Sequence, residues 1–267
     1  MTGYPDAFRG LAEGQEFLRQ KSAEAIEACE VLGCHAAIIK ASMDVIHHFI
    51  LERGSDDQDV LTVQHLGIRA FNGIAVALNN ALTGYYQASA GQQRDLLETS
   101  FLLDLFGRDR TLISAWRTLD KKERWARFKP VKVRTELDEL DGFTEKKRAV
   151  HYELLNDLAS HPSTVGFAML QAGDLGAHCG PFFEETAMSA TLSELAKLAL
   201  QAGGVFVRLF KSESPEDSLA KLDFQEAQAR WLERFYDKPF DQAQFEALRS
   251  SLLAGNPHFE PSRGSEA

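Results

Sequence analysis

The chain has 267 residues, 44% of them hydrophobic, which is enough to bury a substantial core in one large domain or two small ones. A net charge of -10 disfavours broad binding to nucleic acid or to an anionic membrane, and leaves only a local basic pocket open. No apolar run reaches the roughly 18 residues of a membrane span, and the first residues show no secretory signal. The cysteines form no CxxC pair, which favours a cytoplasmic location.

Helical periodicity dominates the first part of the chain. Helices are expected near residues 14–32, 34–52, 60–83, 87–106, 110–119, 121–128 and 131–140. Acidic residues at 56–59 are placed to cap the third helix, and the last of these helices ends at Asp141-Gly142. A further helix begins at Thr144 and is stopped by Pro162, because the residue before a proline is pushed out of the α region.

A glycine-rich stretch between residues 162 and 183 interrupts this pattern. Its glycines surround a short apolar run at 167–170. This composition favours an irregular excursion or a β-hairpin that turns at Gly173-Asp174, and it is the only plausible β element of the chain.

Three helices near residues 184–210, 224–236 and 241–253 close the predicted fold. The fold class is therefore all-α, a multi-helix bundle with one irregular or β-hairpin insertion near 163–183. The predicted organisation is a polar N-terminal segment at 1–13, a single helical domain at 14–254 and a polar tail at 255–267.

A charged pair in the middle of an apolar stripe is the most informative feature of the sequence. Arg94 and Glu98 lie one helical turn apart on a face that they share with Phe101, Leu102 and Leu105. Burial of a single charge is costly, so the two side chains should bond to each other or to groups brought in from elsewhere.

The helix expected over 144–160 carries a second set of polar residues on one arc, namely Arg148, His151 and Tyr152, with His161 and Ser163 just beyond its end. With Arg94 and Glu98 these residues could form a polar pocket between facing helices. The alternative is a buried salt-bridge network that only fixes the helix register. His161 has the same two interpretations, either a partner of the helix dipole or a titratable group at the pocket mouth.

Other chemistry has little support in the sequence. Asp44, His48 and Glu52 have metal-ligand spacing along one helix, but a solvated face explains them better, and we predict no metal and no cofactor. There is no phosphate-binding loop, nucleophile elbow, His-Glu-x-x-His motif or dinucleotide fingerprint. The tryptophans are most simply core residues, and Trp116-Arg117 is the one pair to watch at a pocket rim.

Several motifs carry a resemblance to known proteins: Gly84-Tyr85-Tyr86, Arg94-x-x-x-Glu98, Lys147-Arg148, Tyr152 and Ser160-His161-Pro162-Ser163. In these motifs the chain resembles a group of uncharacterised bacterial all-helical proteins. Its layout also looks like that of the HEPN helical proteins (the higher eukaryotes and prokaryotes nucleotide-binding group). Many of those are ribonucleases with an Arg followed after four to six residues by a His, whereas here Arg148 and His151 have two residues between them.

Two functions follow as expectations, and a purely structural helical scaffold is a third alternative. The first is a non-enzymatic helical protein that binds a small anionic ligand or a protein partner through Arg94, Glu98, Arg148, Tyr152, His161 and Ser163. The second, implied by the resemblance, is a metal-independent ribonuclease of a toxin or defence system, with RNA as its substrate. There His161 or His151 would act as the base and Arg148 would stabilise the phosphate. A membrane partner is not expected, and a homodimer is left open.

Overall fold

The computed structural model describes residues 6–51, 54–173 and 176–255. These residues form eleven α-helices, a π-helical turn and a 3-10 helix, so the predicted all-α class is confirmed. The α-helices are α1 (Asp6–Ala28), α2 (Glu30–Leu51), α3 (Gln58–Leu82), α4 (Tyr86–Arg108), α5 (Thr111–Thr118), α6 (Lys121–Phe128), α7 (Pro130–Leu140), α8 (Lys147–Leu155), α9 (Glu185–Val207), α10 (Pro215–Tyr236) and α11 (Gln242–Ala254). Across these ranges, no helix combines the length and the apolar character that a membrane span requires.

Four long helices, α2, α3, α4 and α9, pack together and supply most of the buried core. On α9 the buried residues recur every three or four positions, which turns one continuous apolar face toward its neighbours. Gly67 lets α3 approach α9 closely, because a Cβ at that position would lie 2.3 Å from the ring of Phe206. Helix α10 covers α2, while α5, α7 and α8 contact α4 or its neighbour α3.

Local sequence signals explain several helix ends. Asp57 caps α3, since its side chain accepts a hydrogen bond from the Asp59 backbone at 2.8 Å. Helix α7 ends in a Schellman motif, in which Gly142 adopts a positive φ of 67° and the Phe143 backbone N–H donates to the Asp138 carbonyl. The capping at 56–59 and the stop at Asp141-Gly142 are therefore confirmed.

Several predicted starts differ from the structure. The largest difference is at α10, which begins at Pro215 rather than near residue 224, because Ser214 caps it by accepting from the Asp217 backbone N–H at 3.0 Å. Helix α2 begins at Glu30 rather than near residue 34.

Helix α1 begins at Asp6, inside the segment expected to be only polar, because a polar sequence can still be helical where it faces solvent. The helix expected from Thr144 begins at Lys147 instead, because Lys146 adopts a left-handed backbone conformation with φ of 51° that an α-helix does not contain.

The insertion between α8 and α9 is irregular, and its described residues do not confirm a β-hairpin. A π-helical turn at Asn156–Ser160 is followed by a 3-10 helix at Gly166–Leu170 and by one isolated bridge between Gln171 and Ala177. The pairing does not extend into a ladder because glycines with positive φ, such as Gly173 and Gly176, bend the backbone away from strand geometry. Asp174, half of the predicted turn, lies outside the described residues.

Gly84 joins α3 to α4 and packs against the segment before α9. Its φ is 81°, and a Cβ on it would lie 2.3 Å from the carbonyl oxygen of Phe182. The Phe182 backbone N–H donates to the Gly84 carbonyl at 3.3 Å. A glycine is therefore required here both by conformation and by space.

We predict that Gly84→Ala lowers the free energy of unfolding by roughly 3 kcal/mol, because strain in the left-handed region adds to overpacking. Gly142→Ala is the matched control, since its φ is also positive but nothing lies within 4 Å of its Cβ. That variant should lose only about 1 kcal/mol. Urea unfolding of both variants measures the difference, and equal losses would contradict the role of the Phe182 contact.

Candidate ligand-binding site

Arg94 and Glu98 of α4 form the centre of a polar network with α8 and the π-helical turn. Their side chains are 27% and 25% exposed and form an ion pair of 2.9 Å between Nη2 and Oε1. The Tyr152 hydroxyl accepts a hydrogen bond from Arg94 and donates one to Glu98 Oε1 at 2.6 Å. Arg94 Nε donates to Asn156 Oδ1 at 2.5 Å. The charged pair on the stripe is thus bonded both internally and to residues brought in from the region of α8.

Tyr152 links the two charges as a neutral hydroxyl. Burial raises its pKa, and the hydrogen bond to Glu98 and the negative charge of that carboxylate act in the same direction, against the opposing effect of Arg94. The hydroxyl therefore stays protonated at neutral pH and remains a donor to Glu98. Helix α4 continues the same contact toward its start, where Gln87 Nε2 donates to the carbonyls of Leu158 and Gly166, each at 3.1 Å.

Arg148 is placed elsewhere, in a clamp between α7 and α8. Its guanidinium donates to Asp138 Oδ1 at 2.7 Å and to Asp141 Oδ2 at 2.5 Å, and its side chain is only 15% exposed. The hydrogen bond from Arg148 lowers the pKa of Asp141, and the charge of Arg108 contributes further. Two carboxylates already satisfy Arg148, so it fixes the start of α8 against the end of α7.

The other predicted site residues have separate surroundings. His151 faces α9 and hydrogen-bonds Glu194 through Nε2. His161 is exposed on the turn after the π-helical segment. Ser163 stabilises that turn, because its hydroxyl donates to the Asp157 carbonyl and accepts from the Gly166 backbone N–H at 2.9 Å. Arg94, Glu98 and Tyr152 are bonded to one another, whereas no hydrogen bond joins the side chain of His151, His161 or Ser163 to them in the described part of the chain.

A groove that is lined in part by Glu98 opens between α3, α4 and the segment that runs from α5 to α7. It has a volume of about 330 Å³, within the range of small-molecule pockets. Most of its wall is apolar or aromatic. The lining residues are Leu66, Arg69, Glu98, Thr99, Phe101, Leu102, Trp116, Trp125, Phe128, Pro130 and Val133.

Two arginines on α6 and α7 have no carboxylate partner among the described residues, although neither of them lines the groove. Arg134 follows the lining residue Val133, is only 8% exposed, and stacks its guanidinium 4.0 Å from the ring centroid of Tyr152. Arg124 precedes Trp125, lies 5.5 Å over the ring of Trp116 and donates through Nη2 to the Leu119 carbonyl at 2.7 Å. The Nε atom of each arginine is buried with no hydrogen-bond acceptor. Two helices that contribute to the groove wall thus each carry an arginine without a carboxylate partner among the described residues.

Sequence reasoning missed most of this groove. Trp116 lines it as the rim hypothesis suggested, but Arg117 pairs instead with Asp59 at 3.1 Å. Arg124 and Arg134 gave no signal, because an arginine on an amphipathic helix is ordinarily solvated, and only the packing shows that these two lack a carboxylate.

The metal-ligand spacing on α2 does not assemble a site in the described part of the chain. Asp44 pairs with Lys40 at 2.6 Å, His48 pairs with Asp217 at 2.9 Å, and Glu52 lies outside the described residues. No cluster of three or more His, Cys, Asp or Glu side chains suited to a metal ion occurs among the described residues.

Removal of the Tyr152 hydroxyl tests the network directly. We predict that Tyr152→Phe lowers the free energy of unfolding by about 2 kcal/mol, because Arg94 and Glu98 each lose a charged hydrogen bond in a mostly buried place. Tyr236→Phe is the control, since Tyr236 is half exposed and makes no hydroxyl hydrogen bond among the described residues. Chemical denaturation measures both variants, and an unchanged Tyr152→Phe would contradict the network.

The contact between His151 and Glu194 gives a pH dependence. Burial alone would raise the pKa of Glu194, but the hydrogen bond from His151 and the charges of His151 and Lys197 hold it below its ordinary value of 4.5. Because the folded pKa is the lower one, this stabilisation is complete above pH 4.5 and is lost as the pH falls through the folded pKa.

We therefore predict that His151→Ala removes part of the acid dependence of the free energy of unfolding below pH 4.5. Urea unfolding from about pH 7 to about pH 3 measures the slope. His65→Ala, a change at an exposed histidine of α3, should keep the wild-type slope. Parallel curves for His151→Ala and the wild type would show that this contact does not stabilise the fold.

Comparisons of the chain with protein-family models, with curated proteins and with solved structures found no match. The resemblance to the two helical groups therefore rests on the motifs of this sequence and stays an expectation. What the site can do is argued from its own geometry.

Proposed function

We propose that this is a non-enzymatic binding protein that takes a small organic anion in the groove between α3 and α7. The observation that carries this proposal is the groove itself, whose lining includes one arginine, Arg69, with an Nη1 that has no acceptor among the described residues. Arg124 and Arg134, on the helices that form one wall, add positive charge that no carboxylate of the described residues neutralises, and this charge favours an anionic ligand.

The charges around the groove favour an anion over a cation. Arg127 is paired with Glu136, and Arg69 is paired with Asp95 through Nη2, which leaves Nη1 of Arg69 open to a ligand. Arg124 and Arg134 remain as an excess. The overall charge of -10 still opposes a long polyanion, because the field of the whole molecule would repel it. A small anion is attracted by the excess positive charge and carries too little negative charge to be repelled as a long polyanion would be.

The network behind the groove supports this function by fixing Glu98. Three bonds involving Arg94 and Tyr152 hold that carboxylate in one orientation at the groove wall. Preorganised side chains lower the entropic cost of binding, since fewer rotamers must be ordered when the ligand enters. A protein partner that inserts an acidic side chain would use the same chemistry. The cytoplasmic location stays a prediction of the sequence.

A thermal-shift screen of small carboxylates and phosphates tests the proposal. At least one compound should raise the melting temperature, with a stabilisation of about 2.7 kcal/mol at a hundred times its Kd. A screen in which no compound changes the melting temperature would contradict the proposed function.

Two variants sharpen this test. In Arg69→Gln the ligand-induced shift should be much smaller, because the one arginine of the groove lining is removed, and in Arg134→Met it should fall less, because that residue does not line the groove. Arg230→Gln is the matched control, an arginine on α10 paired with Glu226 and remote from the groove lining. It should keep the full shift. A shift that is unchanged in Arg69→Gln would place the anion elsewhere.

A further inference from the structure

We infer that the ligand of this groove is a planar aromatic acid that also carries an N–H or O–H donor on or beside its ring. This inference rests on the proposed function and adds the chemical class of the ligand. Its ring would lie against the indoles of Trp116 and Trp125, its acidic group would face Arg69, and its donor would face Glu98.

Aromatic side chains dominate the apolar wall. Phe101, Trp116, Trp125 and Phe128 all line the groove. Trp125 is 66% exposed, which is unusual for so large an apolar side chain and leaves one face of its indole free for a ligand. Aromatic rings gain more from stacking on indole and phenyl groups than aliphatic chains of similar area do. The wall therefore favours a flat ring.

Three polar residues of the lining, Arg69, Glu98 and Thr99, determine which polar groups the ligand must carry. Arg69 donates through Nε to Thr99 at 3.3 Å and through Nη2 to Asp95, so Nη1 is left without an acceptor among the described residues. The Thr99 hydroxyl is already used twice, since it accepts from Arg69 and donates to the Asp95 carbonyl at 3.0 Å. Arg69 is thus the lining residue that can receive a carboxylate.

Glu98 imposes the second requirement. Its Oε1 is occupied by Arg94 and Tyr152, whereas Oε2 has no hydrogen-bond partner in the described part of the chain. A plain anion next to this carboxylate would be repelled, and a plain aromatic ring would leave the oxygen unsatisfied. A ligand with a donor satisfies Glu98 and keeps its acidic group at Arg69. The volume of about 330 Å³ is at the small end of ligand pockets and suits one or two rings.

Intrinsic tryptophan fluorescence detects ligand binding in the groove without an added label. The chain has three tryptophans, of which Trp116 and Trp125 line the groove and Trp231 is buried beside His35, with its Nε1 donating to Nδ1 at 3.1 Å. A ligand in the groove should quench the first two. The probes are 4-hydroxybenzoate, benzoate, phenol and acetate. Relative to 4-hydroxybenzoate, benzoate lacks the hydroxyl donor, phenol lacks the carboxylate, and acetate lacks both the ring and the donor.

We expect 4-hydroxybenzoate to bind about tenfold more tightly than benzoate and than phenol, because each lacks one hydrogen-bonding group, and acetate to bind more weakly still. The difference in affinity between 4-hydroxybenzoate and benzoate tests the role of Glu98 without a substitution in the network of Arg94, Glu98 and Tyr152. In Arg69→Gln the affinity for 4-hydroxybenzoate should fall about tenfold while that for phenol is unchanged. Trp125→Leu, a change at an exposed side chain, should weaken all three aromatic probes. Arg230→Gln should match the wild type.

The outcomes separate the two proposals. If small anions raise the melting temperature but 4-hydroxybenzoate binds no better than acetate, or no better than phenol, the aromatic-acid inference is overturned and the proposed function stands. If 4-hydroxybenzoate binds equally well to the wild type, Arg69→Gln and Trp125→Leu, its site is not this groove and the inference is again overturned. If no anion of any kind binds, both proposals fall.

Discussion

The ion pair between Arg94 and Glu98 is the constraint on which this side of the molecule depends. Both charges lie on a face of α4 that the chain covers, and a covered charge needs partners. Tyr152 from α8 and Asn156 from the π-helical turn supply them. A π-helical turn adds a residue to the helical repeat, so it changes which side chain faces a neighbouring helix. The covering segment from α8 to the insertion is thus held to α4 by polar bonds as well as by apolar packing.

The distribution of arginines separates structure from candidate function. Arg148 faces two aspartates and Arg94 faces one glutamate, so each is neutralised by the fold itself. Arg134 of α7 stacks on the ring of Tyr152 and has no carboxylate partner among the described residues. Substitution of a paired arginine leaves a buried carboxylate behind, whereas substitution of an unpaired one relieves a cost. Stability measurements can therefore tell the two kinds apart.

Glu98 connects the network to the groove. Its bonded oxygen stabilises the packing of α4 against α8, and its other oxygen belongs to a side chain that lines the cavity beside two indoles. Under the proposed function Glu98 would have a structural and a binding role. The ligand would then have to offer a donor, because the carboxylate cannot turn away without losing Arg94 and Tyr152.

The sequence by itself determined the all-α class, most helix ends and the need to neutralise Arg94 and Glu98. These follow from periodicity, from caps such as Asp57, from the stop at Gly142 and from the cost of burying a charge, all of which act over a few residues. Only the tertiary structure decided that Arg148 pairs with Asp138 and Asp141, that His161 stays exposed, and that the groove lies beside Glu98. Those outcomes depend on how α4, α6, α7 and α8 pack, and a helix face looks the same in sequence whether it meets solvent, a carboxylate or a cavity.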